Sequence, residues 1–187
     1  MAEPFASAMT LAIDYLRGCG HRRIMLATSS DYLEVPAYRR IENWFEYARS
    51  EKYLDRKMEY LIPLGHEHGN LKHLREVLLP ALKRCPSDAT ALICMNHAIL
   101  MAALSAAWHL KIKIPEDLSL VVIGDTILSD FSQPPITGIS VNLEQHMELA
   151  MQAIMGHEQH LEPVSKPQLV TPELVRRASV KNLYDHR

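Results

Sequence analysis

The chain has 187 residues, 48% of them hydrophobic and 22% charged, enough apolar material for one sizeable domain or two small lobes. A formal net charge of −2 argues against a surface built to neutralise nucleic-acid phosphates. Cys19, Cys85 and Cys94 form no metal pair and no disulfide framework, and no leader or bilayer-length apolar run is legible, so a soluble, unexported, cytoplasmic protein is expected.

In chain order, Phe5 to Arg17 is predicted as a helix, because Ala8, Met9, Ala12, Ile13 and Leu16 recur at helical spacing before Gly18 and Gly20. Arg23 to Ala27 reads as a short buried strand, and the segment from Thr28 to Pro36 as a polar loop. A second helix is expected from about Tyr38 to Tyr53, with Tyr38, Ile41, Phe45 and Ala48 on one face. Met58 to Leu64 is a strand candidate ending in a Gly-His-Glu-His-Gly loop. Leu71 to Lys83 is a helix with a proline, Pro80, in its last turn.

Ala91 to Met95 is again a buried strand, followed by an alanine-rich helix from His97 to Leu110. Leu118 to Ile123 is nearly all apolar and rich in β-branched residues, the pattern of a strand covered on both faces. It opens on Pro115-Glu116-Asp117 and closes on Gly124-Asp125. Ile136 to Val141 is a further strand, Leu143 to Met155 a helix closed by Gly156, and Leu169 to Arg176 an extended tail. Strands alternating with helices predict βαβ units and a mostly parallel sheet. In such a sheet ligands sit beyond the carboxyl ends of the strands, so a carboxylate at Asp125 is a candidate contact.

Four segments carry a resemblance in register: CGHRRIMLA from Cys19, IPEDLSLVVIGD from Ile114, PPITGI from Pro134 and TPELVRRAS from Thr171. Together they resemble the effector-binding module of the lactose/galactose-repressor family of bacterial transcription regulators. The resemblance implies an α/β fold of the periplasmic-binding-protein-like type I class, with mostly parallel sheets, flanking helices and two lobes crossed three times by the chain. On that pattern residues 1–29 and 142–162 are expected to be the remnant of a first lobe. Residues 30–141 and 163–180 would form the second lobe, with 181–187 a tail. The opening βα units of the first lobe and a helix-turn-helix headpiece have no counterpart, so a truncated piece of a longer regulator is expected, its bare apolar faces covered by a second copy.

The same resemblance nominates the site. Arg40 opens Arg-Ile-Glu-Asn-Trp, matching a family arginine that reaches into the cleft, where a guanidinium fork suits a carboxylate or vicinal hydroxyls. A surface arginine beside the equally placed Arg39 is the plainer alternative. Asn96 stands where the family has Asn-Asp, and its amide offers both a donor and an acceptor to a hydroxyl. It is equally suited to cap the helix that follows. His97 replaces the family aspartate. Asp125 matches the first aspartate of a Gly-aromatic-Asp-Asp run, with Thr126 in place of the second acid, and could instead cap its own turn. Leu64 occupies the position of a stacking aromatic, which points to a smaller or less flat-faced ligand.

His66 and His68, with His157 and His160, lack the spacing of a metal site and read as solvated loop residues. Nucleophile-elbow, P-loop and dinucleotide-binding motifs are absent, so no enzyme and no cofactor are expected. The leading expectation is a ligand-sensing domain binding a sugar or related polyol between lobes, as a homodimer, with DNA contacted only through a missing N-terminal domain and no membrane partner. The alternatives are a solute-binding protein of a sugar transport system and a flavodoxin-like enzyme domain.

Overall fold

A computed structural model describes residues 4–30, 41–52, 57–65, 70–158 and 170–184. Helix α1 (Pro4–Gly18) leads into strand β1 (Ile24–Thr28), then α2 (Glu42–Ser50), the short α3 (Lys57–Tyr60) and β2 (Leu61–Pro63). Next come α4 (Leu71–Lys83), β3 (Ala91–Cys94), α5 (His97–Leu110), β4 (Ser119–Ile123) and α6 (Ile127–Phe131). The chain closes with β5 (Thr137–Ser140), α7 (Leu143–Glu158) and β6 (Glu173–Val175).

These strands form one six-stranded sheet in the order β2-β1-β3-β4-β5-β6. It is parallel except for β6, which runs antiparallel to β5. Every residue of β1, β3 and β4 is buried, as continuous apolar runs require when helices cover both faces. The helices pack in two pairs, α1 with α2 and α4 with α5. The chain steps outward through α2 and back through α4 and α5, so right-handed crossovers put one pair on each face.

Several expectations change here. The strand Ile24–Thr28, expected in a first-lobe remnant of residues 1–29, lies inside the sheet between β2 and β3. Its four paired residues, from Ile24↔Ala91 to Ala27↔Cys94, tie it to β3, and α1 packs on β4 and β5. That strand therefore shares one sheet with β2 to β6. The strand expected from Met58 to Leu64 is shorter, because Lys57–Tyr60 turns as a helix and its buried Tyr60 hydroxyl donates to Asp88 Oδ1 at 2.5 Å. The core of α2 is Trp44, Tyr47 and Ala48, with Phe45 only partly buried. Trp44 is held inward because its indole Nε1 donates to the Ile24 carbonyl at 3.0 Å. Gly156 does not close α7, which runs on to Glu158, whereas α4 covers Leu71–Lys83 as expected, with Pro80 inside it.

The C-terminal segment is built into the body. Ser179, fully buried, donates to the Leu120 carbonyl at 2.6 Å and accepts from the Thr137 amide at 2.9 Å. Beyond it, His21 bonds the Lys181 carbonyl at 3.0 Å and Thr90 Oγ1 at 2.8 Å, and the Leu183 amide donates to Cys19 at 2.8 Å. Burial pushes the His21 imidazole down from its usual range, so the neutral ring is the folded form.

Candidate functional site

The carboxyl ends of β1, β3 and β4 come together at one edge of the sheet, and each ends in polar residues. From β1 come Thr28, Ser29 and Ser30. The Ser29 hydroxyl donates to the Gly65 carbonyl at 3.0 Å, and Ser30 Oγ accepts from the Gly65 amide at 3.1 Å. Thr28 Oγ1 is buried and has no hydrogen-bond partner among the described residues.

From β3 comes Asn96, the residue before α5. Its Oδ1 accepts from the Ile99 amide at 2.9 Å, so it caps the helix. The amide NH₂ has no partner among the described residues and remains able to donate. The cap and the ligand contact are thus compatible uses of one side chain.

From β4 come Gly124, Asp125 and Thr126. Gly124 sits at φ +87, a left-handed conformation that favours glycine and turns the chain out of the strand. Asp125 follows, but it is not an open carboxylate. Arg177 grips it with both terminal nitrogens, at 2.8 Å to Oδ1 and 2.9 Å to Oδ2, with both side chains only 11% exposed. The same guanidinium donates to the Ile136 carbonyl at 2.8 Å and to Asp130. Hydrogen bonding to Asp125 is the main reason that its ionisation is held even higher than usual. Asp125 therefore has an anchoring role in the fold. Its carboxylate fastens the C-terminal segment to the end of β4.

His97, the first residue of α5, places Nε2 at 3.0 Å from Thr126 Oγ1 and 3.1 Å from Ser129 Oγ. It hooks α6 onto the start of α5. Burial is the largest influence on its pKa and lowers it, opposed by the Asp125 charge and the Gly124 backbone and reinforced by Arg177. A neutral imidazole between two hydroxyls binds and orients; with Ser129 fully buried, it does not make an exposed nucleophile.

Leu64 is 1% exposed and packs in the core, its amide donating to the Thr28 carbonyl at 2.9 Å. The expectation that it faces a ligand is corrected, since a core side chain offers no surface to stack on. Arg40 lies outside the described residues, as do Arg39, His66, His68 and His160. The structure thus brings Asn96 and Asp125 to one edge and gives them different jobs. Sequence reasoning missed Arg177 as the partner of Asp125, although Arg177 stands inside the quoted Leu-Val-Arg-Arg-Ala-Ser run.

The set at this edge is an amide, hydroxyls and a neutral imidazole around a closed ion pair. Such groups exchange hydrogen bonds with hydroxyl or carbonyl functions. No group of three or more His, Cys, Asp or Glu side chains able to hold a metal occurs among the described residues. Two surface clefts, of about 650 and 300 Å³, lie elsewhere, beside β2 and between α4 and α5. No helix among the described residues is long and apolar enough to cross a membrane.

Residues 13–180 match the family model of the periplasmic binding protein-like domain. Among curated proteins, the chain is similar to the HTH-type transcriptional regulator MalR of Streptomyces coelicolor, at 28% identity over 92% of this chain and 49% of the relative. It is equally similar to the HTH-type transcriptional repressor PurR of Haemophilus influenzae, at 28% over 92% of this chain and 51% of the relative. The chain spans about half the length of these curated relatives. Among solved structures, the Escherichia coli transcriptional repressor ascG superposes with a TM-score of 0.80 at 16% identity, covering 96% of this chain and 63% of that one. A LacI family regulator from Mycobacterium smegmatis does so with a TM-score of 0.71 at 25% identity, covering 96% and 65%. The proteins so matched are transcription regulators.

Proposed function

The chain belongs to the periplasmic binding protein-like domain family, and we propose that it is the effector-sensing part of a LacI-type transcription regulator. The effector is a small polar molecule, a sugar or related polyol, held at the carboxyl edge of the sheet. Binding there biases the arrangement of the regulator and shifts its affinity for DNA, which a different part of the protein contacts. The working unit is a homodimer in the cytoplasm. The observation that carries this reading is the edge itself, where Asn96 presents a free amide NH₂ beside the hydroxyls of β1 and the His97–Thr126 pair. Arg40 is retained as a second contact on the strength of its motif. The homodimer is supported by an apolar surface on α5 and α6, where Trp108 and Phe131 are 82% and 80% exposed.

The test is a thermal-shift screen of sugars, polyols and nucleosides on the wild type and on Asn96→Ser. Serine keeps the helix cap but removes the amide donor. A compound at a hundred times its Kd adds about 2.7 kcal/mol to the wild type, and the variant loses most of that shift. If every compound leaves the wild type unmoved, or moves both proteins alike, the reading is wrong.

A further inference from the structure

Strand β2 is an outer strand of the sheet and pairs, among the described residues, with β1 alone. A cleft of about 650 Å³ lies between it and α4, a volume within the range of small-ligand sites. Leu61, Ile62 and Pro63 line one side, and Val77, Pro80 and Ala81 the other. Helical positions 76, 77, 80, 81 and 84 fall within one arc of about 140°, so α4 turns a single face to the cleft. The Leu64 amide points to β1, where it bonds the Thr28 carbonyl. Alternation therefore turns Pro63 to the open edge, where it offers a carbonyl and no N–H.

Three charged side chains line the cleft: Glu59, Glu76 and Arg84. Glu59 has an interaction of its own. Glu76 and Arg84 are exposed and have no ion-pair partner among the described residues. Because Pro80 has no N–H, α4 lacks the helical bond to the Glu76 carbonyl, which sets a backbone acceptor beside the Glu76 carboxylate. At the other end, Arg84 Nε donates to the Pro80 carbonyl at 3.2 Å, which holds the guanidinium along the helix and leaves its terminal nitrogens to donate. Glu76 and Arg84 stand roughly 12 Å apart along the helix axis. The cleft thus has an acidic end, an apolar middle and a basic end.

We propose that this cleft binds a short apolar peptide with free termini, laid along the open edge of β2. At about 3.3 Å per residue, three to four extended residues cover the distance from Glu76 to Arg84. The terminal ammonium meets the Glu76 carboxylate and carbonyl, and the terminal carboxylate meets the Arg84 fork. Small apolar side chains pack on Ile62, Val77 and Ala81, and a main-chain N–H of the peptide reaches the Pro63 carbonyl. Helix α4 runs from the carboxyl edge of the sheet back to the amino edge, so this polarity sets the peptide antiparallel to β2. The site shares no residue with the effector site proposed above and goes beyond that reading.

Isothermal titration and amide chemical shifts test it on the whole chain, with valyl-alanyl-valine as the probe in free, N-acetylated and C-amidated forms. The free peptide gives saturable shifts at residues 61–63 and 76–84. Each cap weakens binding roughly threefold, the share of one exposed ion pair. Glu76→Gln weakens the free peptide by about the same factor and leaves the N-acetylated form unchanged. Arg84→Gln likewise weakens the free peptide and leaves the C-amidated form unchanged. Both side chains are exposed, and the capped peptide that each variant still binds as the wild type does shows that the fold is intact. Free peptide that fails to saturate by about 10 mM overturns the inference, as does binding indifferent to the caps or to both substitutions. Shifts gathered instead at Asn96, His97 and Thr126 also overturn it, by placing the peptide in the effector site. Loss of the peptide site alone leaves the effector reading standing, since sugars and polyols test that separately.

Discussion

Replacing Arg177 by alanine removes the fastening between the C-terminal segment and the end of β4. The guanidinium makes two bonds to Asp125, at 2.8 and 2.9 Å, and one to the Ile136 carbonyl at 2.8 Å. Without it Asp125 stays almost wholly inside the protein with no counter-charge, and breaking a buried pair from one side costs about 3–5 kcal/mol. Against a domain stability of roughly 5–15 kcal/mol that is a large fraction. Asp125→Ala costs less, because Arg177 keeps Asp130, which is 58% exposed, and the Ile136 carbonyl. The double variant is more stable than the sum of the single losses implies, by roughly 1–3 kcal/mol, since the second change removes a group already stranded. Urea unfolding followed by tryptophan fluorescence measures all four proteins, with buried Trp44 as the reporter. If Arg177→Ala costs under about 0.5 kcal/mol, or the two losses simply add, the ion pair does not anchor the tail.

Three other outcomes are expected. Gly138→Ala puts a methyl 2.8 Å from Asp125 Cγ and 2.9 Å from its Cβ, displacing the carboxylate at a cost of about 1–3 kcal/mol; the same unfolding assay shows that loss, together with a weakened coupling to Arg177. His21 titrates below its usual range because it is buried, so the unfolded chain takes up its proton first on acidification. Its contribution is therefore complete above pH ~6.5 and declines below it, by at most about 1.4 kcal/mol per pH unit; His21→Gln loses that part of the acid sensitivity when unfolding is compared at pH 7 and pH 5. Ser179→Ala strands the Thr137 amide and the Leu120 carbonyl in the core, costing roughly 1–3 kcal/mol in equilibrium unfolding.

Much of the fold was legible because buried parallel strands and amphipathic helices write distinct patterns. The helix from His97 to Leu110 and the apolar runs around Ile93 and Val121 appear within a residue or so of where the pattern puts them. What was misread depended on partners distant in the chain. Nothing local in Lys57–Tyr60 shows that Tyr60 will reach Asp88 and be buried, and nothing near Phe45 shows that Trp44 will find the Ile24 carbonyl. Gly156 failed as a stop because glycine permits the end of a helix without requiring it. At the candidate site the strand-end position of Asp125 was legible from its apolar run and closing glycine. Its saturation was not, since the residue responsible lies 52 positions later. Leu64 shows the limit of carrying a role across by position, because its burial is set by the packing of β1 and β2 and not by its own neighbours in sequence.

The most direct measurement is amide mapping of the strongest stabilising compound from the sugar and polyol screen, by chemical-shift perturbation on this chain. The account predicts saturable changes concentrated at Asn96, His97 and Thr126, with little response at the amino ends of the same strands. Changes centred instead on the cleft lined by Pro63, Val77 and Arg84, or spread evenly with no saturation, would contradict an effector site at the carboxyl edge of the sheet.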